Sequence, residues 1–572
     1  MADTATETKT QRVERLKRSK NPWECLEEIR GFAREGFESI PPEWISTYFR
    51  WWGVYTQGDG AGVTGGKGGE GRAVQRFMIR IQVPNGLLSS EQLRTIADLT
   101  HRYANGIADI TVRQNFQLHW VTIEALPELL EALWRVGLNT MTCGDVTRTV
   151  TGCPVAGVAA DEICDPSPLA LEASRMLTGN PDFYNLPRKY KISITGCRVW
   201  CPYPEINDIG LTAMTRLVKG VPEVGFSLRV AGGLSTEPYL GVRLNAFVRW
   251  NQVLPAIVGI TELFRDSDVL REHRDRARLK FLFIRHGWTA ERFLDELQQR
   301  IGFQFDPASA EEPPADAYRD HVGIHPQKQP GYCYVGAAVL RGRITDGQMH
   351  AAADLADRFA SGELRTTNMQ NLLIVNVPQA SADGLAKELE TIGLPVSGSV
   401  FWRGAIACTG TEFCKLAITE TKSFSRWLVE ELEERLPGFD QHLKLHVTGC
   451  PNSCGQHWIA DIGIDGKKIK VDGRLVDAYY FCLGGALGLY QATARPVGYR
   501  CLATEVPEAI ERLLRRYLAV RAAGENLRQF FARHTDTELR QFLAGESLAA
   551  VARDLPPVRV GRSPQYAGGD SD

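Results

Sequence analysis

Cys408 and Cys414 in ACTGTEFCKL, and Cys450 and Cys454 in TGCPNSCGQ, form two tight pairs, C-x5-C and C-x3-C, in segments well separated along the chain. Thiolate is the ligand type that selects iron-sulfur clusters, zinc or Cu(I) over hard cations, so four thiolates from two loops point to a soft metal centre. The C-x5-C spacing falls outside the C-x2-4-C knuckles of structural zinc sites, which disfavours zinc. Whatever the metal, the fold must bring two distant loops together.

The elements that would do so are written twice in the sequence. FMIRIQVPNGLLSSEQLRTIADLTHRYANGIADITVRQNFQLHWV aligns without gaps to CYVGAAVLRGRITDGQMHAAADLADRFASGELRTTNMQNLLIVNV at an offset of 256, pairing Gly86 with Gly342 and Gln114-Asn115 with Gln370-Asn371. Each copy reads as strand, glycine turn, amphipathic helix and strand. At an offset of 253, KISITGCRVWCPYPEINDIGL aligns to KLHVTGCPNSCGQHWIADIGI, pairing Cys197 and Cys201 with Cys450 and Cys454. Two copies of a small unit and two of a larger α/β unit, related by a pseudo-twofold axis, are therefore expected.

Composition narrows the class. The chain has 572 residues, a net charge of -2, 44% hydrophobic and 23% charged residues, which is ordinary for a soluble multidomain protein and gives no global pull toward nucleic acid or membrane. The polar N-terminus, MADTATETKTQRVERLKRSKNP, has no apolar signal core, and no apolar run approaches a membrane span. Thirteen cysteines without a signal favour a reducing compartment, so a cytoplasmic location is expected. The glycine-rich QGDGAGVTGGKGGEGR at 57–72 fails as a phosphate loop, because Ala61 replaces the leading glycine and Gly68 the magnesium-binding hydroxyl; it is expected to be a mobile or cofactor-covering loop.

CTGTEFCKLAITETK and HVTGCPNSCGQHWIADIG resemble the cofactor segments of the siroheme-containing nitrite and sulfite reductases, and the repeat at 256 resembles their ferredoxin-like half domains. The resemblance runs from RWWGVYTQ to about Leu518. It implies that Cys408, Cys414, Cys450 and Cys454 ligate a 4Fe-4S cluster, with Cys454 also the axial thiolate of siroheme. The fold class implied is α/β (α+β), a duplicated chain with two ferredoxin-like half domains and two larger siroheme/iron-sulfur domains. The expected boundaries are a helical and glycine-rich segment at 1–75, half domain 1 at 76–140, and the siroheme/substrate domain at 141–325. Half domain 2 follows at 326–396, the 4Fe-4S and siroheme domain at 397–525, and a tail at 526–572.

Siroheme carries eight carboxylates and its substrates are small oxyanions, so the pocket needs fixed positive charge. By position, Arg80, Arg148, Lys189 and Lys191 match the family's substrate-binding and proton-delivering quartet; Arg113 and Asn115 are assigned to siroheme carboxylates. Arginine keeps its charge and grips two oxygens, whereas lysine can release a proton. The cysteine segments resemble nitrite reductases more closely, while Lys191 and WWGVYTQ resemble a sulfite-reducing branch. Six-electron reduction of nitrite to ammonia is the favoured activity, sulfite to sulfide the alternative, and a non-catalytic iron-sulfur carrier the remote one. No nicotinamide or flavin fingerprint is present, so reduced ferredoxin is the implied donor to a monomer.

Two details stay open. Val146 stands where some sulfite-reducing relatives carry a cysteine linked to the tyrosine of YTQ, so that crosslink is expected to be absent unless Cys143 or Cys153 substitutes. Cys143, Cys153, Cys197 and Cys201 either bind a second cluster or are remnants of the duplication.

Overall fold

A computed structural model describes residues 7–58, 74–315 and 318–545. The glycine-rich stretch 59–73, on which the loop expectation falls, lies outside the described residues, as does the end of the chain from 546.

The duplication is visible in the strand pairing. One five-stranded sheet contains Val54–Thr56, Phe77–Ile81, Phe116–Val121, Ile107–Ile110 and, from the second copy, Arg343–Thr345; its twin contains Gly323–Pro326, Tyr332–Ala337, Leu372–Pro378, Glu363–Thr366 and, from the first copy, Leu87–Ser89. Each half domain thus lends its short strand to the other, with Ile344 opposite Ala108 and Leu88 opposite Leu364. The glycine before each lent strand is obligatory: Gly86 and Gly342 have φ near 70°, and a Cβ would stand 2.3 Å from the Thr366 carbonyl or 2.4 Å from that of Ile110.

Ser90–Tyr103 and Asp346–Phe359 follow the lent strands, start in Ser89/Gln92 and Thr345/Gln348 capping boxes, and face each other, Arg94 bridging to Asp354 and Asp357 at 2.7 and 2.5 Å. One apolar core runs through both half domains and includes Trp44, Trp51 and Trp52 of the N-terminal segment. The half domains are therefore a single body, which fixes the two larger domains relative to each other.

Those larger domains also superpose by register. Ile192–Thr195, Ile209–Val218, Val221–Val230 and Val242–Arg249 form one sheet; Leu445–Thr448, Ile462–Val471, Arg474–Leu483 and Arg495–Leu502 repeat it 253 residues on, with Ala405–Ala407 added at the edge. The first two strands are parallel in both copies, so the loops leaving their C-terminal ends emerge side by side.

The tail expected from residue 526 begins later than that. Leu527–Arg533 and Asp536–Ala544 are helices with Asn526 and Thr535 capping boxes, and they bury Phe530, Phe531 and Leu539 in the core of the second large domain. The polar character of the last eighteen residues obscured an amphipathic stretch just before them.

Candidate active site

Strand pairing collects the cysteines. Ala405–Ala407 runs parallel to Leu445–Thr448, with Ala407 opposite Val447, so Cys408 and Cys450 leave neighbouring strand ends. Cys414 follows the single turn Gly410–Glu412, and Cys454 follows Ser453, which is left-handed at φ 60°. Gly455 has no room for a side chain, since a Cβ would lie 2.6 Å from the Val447 carbonyl. The Gly449 N–H donates to Cys408 Sγ at 3.2 Å, the type of contact that stabilises a thiolate ligand.

All four cysteines line a cavity of about 440 Å³, and Arg80, Arg113, Lys189 and Lys191 line the same cavity. Arg50, Arg278, Lys415 and Lys422 join them, while Asp109 is the one carboxylate residue among the described residues that line it. Burial, with Arg274 and Arg188 nearby, depresses Arg50. Such a cation-rich cavity favours a polyanionic ligand. Burial and the surrounding sulfurs push the Cys450 thiol well up, so four thiolates here need a cationic metal centre. The residues present fit both an iron-sulfur cluster and a macrocycle bearing many carboxylates.

Arg148 is placed differently from the rest of its quartet. It is buried beside Tyr55 rather than on the lining, and its Nη1 donates to the carbonyls of Gly144 at 2.8 Å and Val146 at 3.3 Å. Tyr55 does face the cavity, and its hydroxyl is hydrogen-bonded to Cys143, where burial and that sulfur raise it. Thus Cys143, and not a residue at Val146, is the tyrosine's sulfur neighbour.

Asn115 is also placed apart from the cavity lining. Its Oδ1 accepts the Val83 N–H at 3.2 Å, and Asn371, its repeat partner, accepts the Val339 N–H at 3.0 Å. The same bond in both copies marks a structural bracket. Arg113 lines the cavity and donates to Asn207 Oδ1 at 2.9 Å and the Thr149 carbonyl at 2.7 Å.

Several side chains at and around the cavity were missed from sequence. Asp109 pairs with Arg343 at 3.0 Å and Lys422 at 3.7 Å, and Arg343 reaches Glu412 at 2.9 Å. His119 stacks on Phe413 with ring centroids 3.9 Å apart. This network ties the C-x5-C loop to the first half domain. Arg50 in RWWGVYTQ and Lys415 beside Cys414 carried a positional signal; Arg278, in no motif, gave none.

A duplicated α/β chain whose second half presents four cysteines, and whose first half presents arginines and lysines across one cavity, defines a redox enzyme for small anions. Residues 143–305 and 401–548 match the nitrite and sulphite reductase 4Fe-4S domain, and 71–135 and 325–392 match the nitrite/sulfite reductase ferredoxin-like half domain. The chain belongs to this family of nitrite and sulfite reductases, an oxidoreductase family whose cofactors are siroheme and a 4Fe-4S cluster.

It is 37% identical to the assimilatory ferredoxin-dependent nitrite reductase of Haloferax mediterranei, covering 88% of each chain. It is 36% identical to the ferredoxin sulfite reductase of Mycobacterium tuberculosis, over 92% of this chain and 95% of that one. The structure of the M. tuberculosis NirA protein matches with a TM-score of 0.87 at 36% identity, covering 92% of this chain and 97% of that one. Among the described residues, no helix is long and apolar enough to cross a membrane.

Proposed function

We propose that this enzyme reduces nitrite to ammonia, taking six electrons one at a time from reduced ferredoxin. The observation that carries an oxyanion substrate is the cavity in which Arg80, Lys189 and Lys191 share a lining with all four cysteines. Bound siroheme coupled to the cluster would supply the electron-storing iron centre, held by Cys408, Cys414, Cys450 and Cys454. The side chains do the remainder. Arg80 holds the anion by charge, and Arg148, buried beside Tyr55, adds to the positive field. Lys189 and Lys191 supply protons at Nζ as oxygen leaves as water. Arg113, Arg50 and Arg278 balance carboxylates.

Nitrite is preferred on the cysteine segments, CTGTEFC and TGCPNSCGQ. Sulfite reduction to sulfide is the second reading, favoured by Lys191 and by the Tyr55–Cys143 pair, since more positive charge suits a more highly charged anion. Steady-state turnover of nitrite and sulfite with one reduced donor decides between them. The nitrite reading expects kcat/KM for nitrite to exceed that for sulfite by at least about tenfold, or ~1.4 kcal/mol of transition-state discrimination; the reverse ratio overturns it.

A further inference from the structure

The first large domain holds its own group of ligating atoms. One atom each from Cys153, Cys201 and His321 lies within 4.8 Å of both others, and all three residues are buried. Cys197 Sγ is 3.5 Å from Cys201 Sγ and accepts the Cys201 N–H at 3.4 Å. His321 is 1% exposed, and neither ring nitrogen has a hydrogen-bond partner. A buried polar group left in that state is costly, and the ring contact with Tyr334 does not remove that cost.

The place of this group in the fold is informative. Thr151 pairs with Ser193 as Ile406 pairs with His446, so Cys153, Cys197 and Cys201 occupy the positions of Cys408, Cys450 and Cys454. The turn is also repeated: Trp200 and Tyr203 are left-handed, like Ser453 and Gln456. Ala159 falls where Cys414 would be, and Cys143 stands instead beside Tyr55. The second four-cysteine cluster considered from sequence therefore lacks its fourth thiolate, and His321 enters from another segment.

We propose that Cys153, Cys197, Cys201 and His321 form a second, mononuclear metal site that takes Zn²⁺ or a similar soft divalent ion. Zinc–thiolate bonds of about 2.3 Å place tetrahedral ligand sulfurs roughly 3.8 Å apart, close to the 3.5 Å between Cys197 and Cys201. A cubane needs its cysteine sulfurs roughly 6 Å apart, each on a different iron. Binding releases three thiol protons and leaves a site of net charge -1. Arg319, in electrostatic contact with Cys153 and Cys201, offsets that charge. His321 and Arg319 also line a cavity of about 320 Å³, which gives the ion an entry path. The role is structural, because three thiolates and an imidazole complete a closed tetrahedron.

The test is elemental analysis of the purified holoenzyme expressed with iron and zinc both supplied. About one zinc and about five irons per chain are expected, the irons being one siroheme plus one cluster. His321→Ala and Cys153→Ala should each lower zinc at least about fivefold while iron and the siroheme spectrum stay unchanged. Zinc-edge X-ray absorption of the unaltered enzyme serves as a second measurement should the variants misfold, with three sulfur and one nitrogen neighbours expected. Absence of zinc, about nine irons, a Cys197–Cys201 disulfide, or zinc bound only by nitrogen and oxygen would each overturn the proposal.

Discussion

Asp208 holds Lys191 from behind the cavity: its Oδ2 accepts the Lys191 backbone N–H at 2.8 Å and the Arg278 Nη2 at 2.8 Å. Asp461 makes the same backbone bond to Lys444 at 2.8 Å in the second copy. In the first copy the bond anchors a lysine that lines the active-site cavity; the twin has Lys444 fully buried. The duplication preserved the bracket and changed what it displays.

Removing the Asp208 charge takes from the buried Arg278 guanidinium its carboxylate partner within the protein, and breaking one partner of a buried pair costs about 3–5 kcal/mol. Asp208→Ala should therefore lower the unfolding free energy by that order, with Asp208→Asn intermediate because its amide oxygen still accepts from Lys191. Denaturant unfolding of the three proteins checks this; equal midpoints would contradict it.

Lys189→Met should reduce turnover by about 10²-fold or more, the usual worth of a positioned proton donor, and leave the visible siroheme bands in place. Arg80→Ala should raise KM for the anion as well. Side-by-side absorption spectra and steady-state kinetics separate loss of chemistry from loss of cofactor.

Cys414→Ser and Cys450→Ser each remove one cluster ligand without filling or emptying much space. Both should abolish turnover and lower the iron content toward the siroheme iron alone, read by iron analysis and by electron paramagnetic resonance of the reduced cluster.

His446 and His457 are fully buried, and both are held neutral. Burial first, then Lys444, pushes His446 down to about 3; burial first, then Lys467, does the same to His457. Their folded values lie below the unfolded value near 6.5, so this stability is present above pH ~6.5 and declines as pH falls toward 3. Between pH 7 and 5.5 each histidine should cost roughly 1 kcal/mol of unfolding free energy. Denaturant titrations at the two pH values test it, and His457→Leu should reduce the loss by one histidine's share, roughly 1 kcal/mol.

If an acidic ferredoxin docks by charge, its KM should rise with ionic strength, since screening weakens contacts beyond a Debye length of about 10 Å at 0.1 M. The reaction driven by a small uncharged or dye reductant should respond far less.

Much of this architecture was legible in the sequence because duplication leaves a register that survives divergence. The two offsets, carried by Gly86 and Gly342 and by Cys197 and Cys450, marked the elements the structure pairs. Arg80, Lys189, Lys191 and Arg113 line the cavity. Asn115 did not, because a repeated Gln-Asn pair looks alike whether it binds a ligand or brackets a strand. Arg278 had no local signal, since its partner Asp208 is remote in sequence.

The sequence by itself determined the soft-ligand chemistry of the C-x5-C and C-x3-C pairs and the twofold repetition of the chain, because ligand type and periodicity are local properties. Only the tertiary structure decided which cysteines belong together. Cys143, Cys153, Cys197 and Cys201 form one set in the sequence, yet Cys143 joins Tyr55 while Cys153 and Cys201 meet His321. A side chain's partners are set by where strands exchange and loops converge, and spacing along the chain cannot encode that meeting in space.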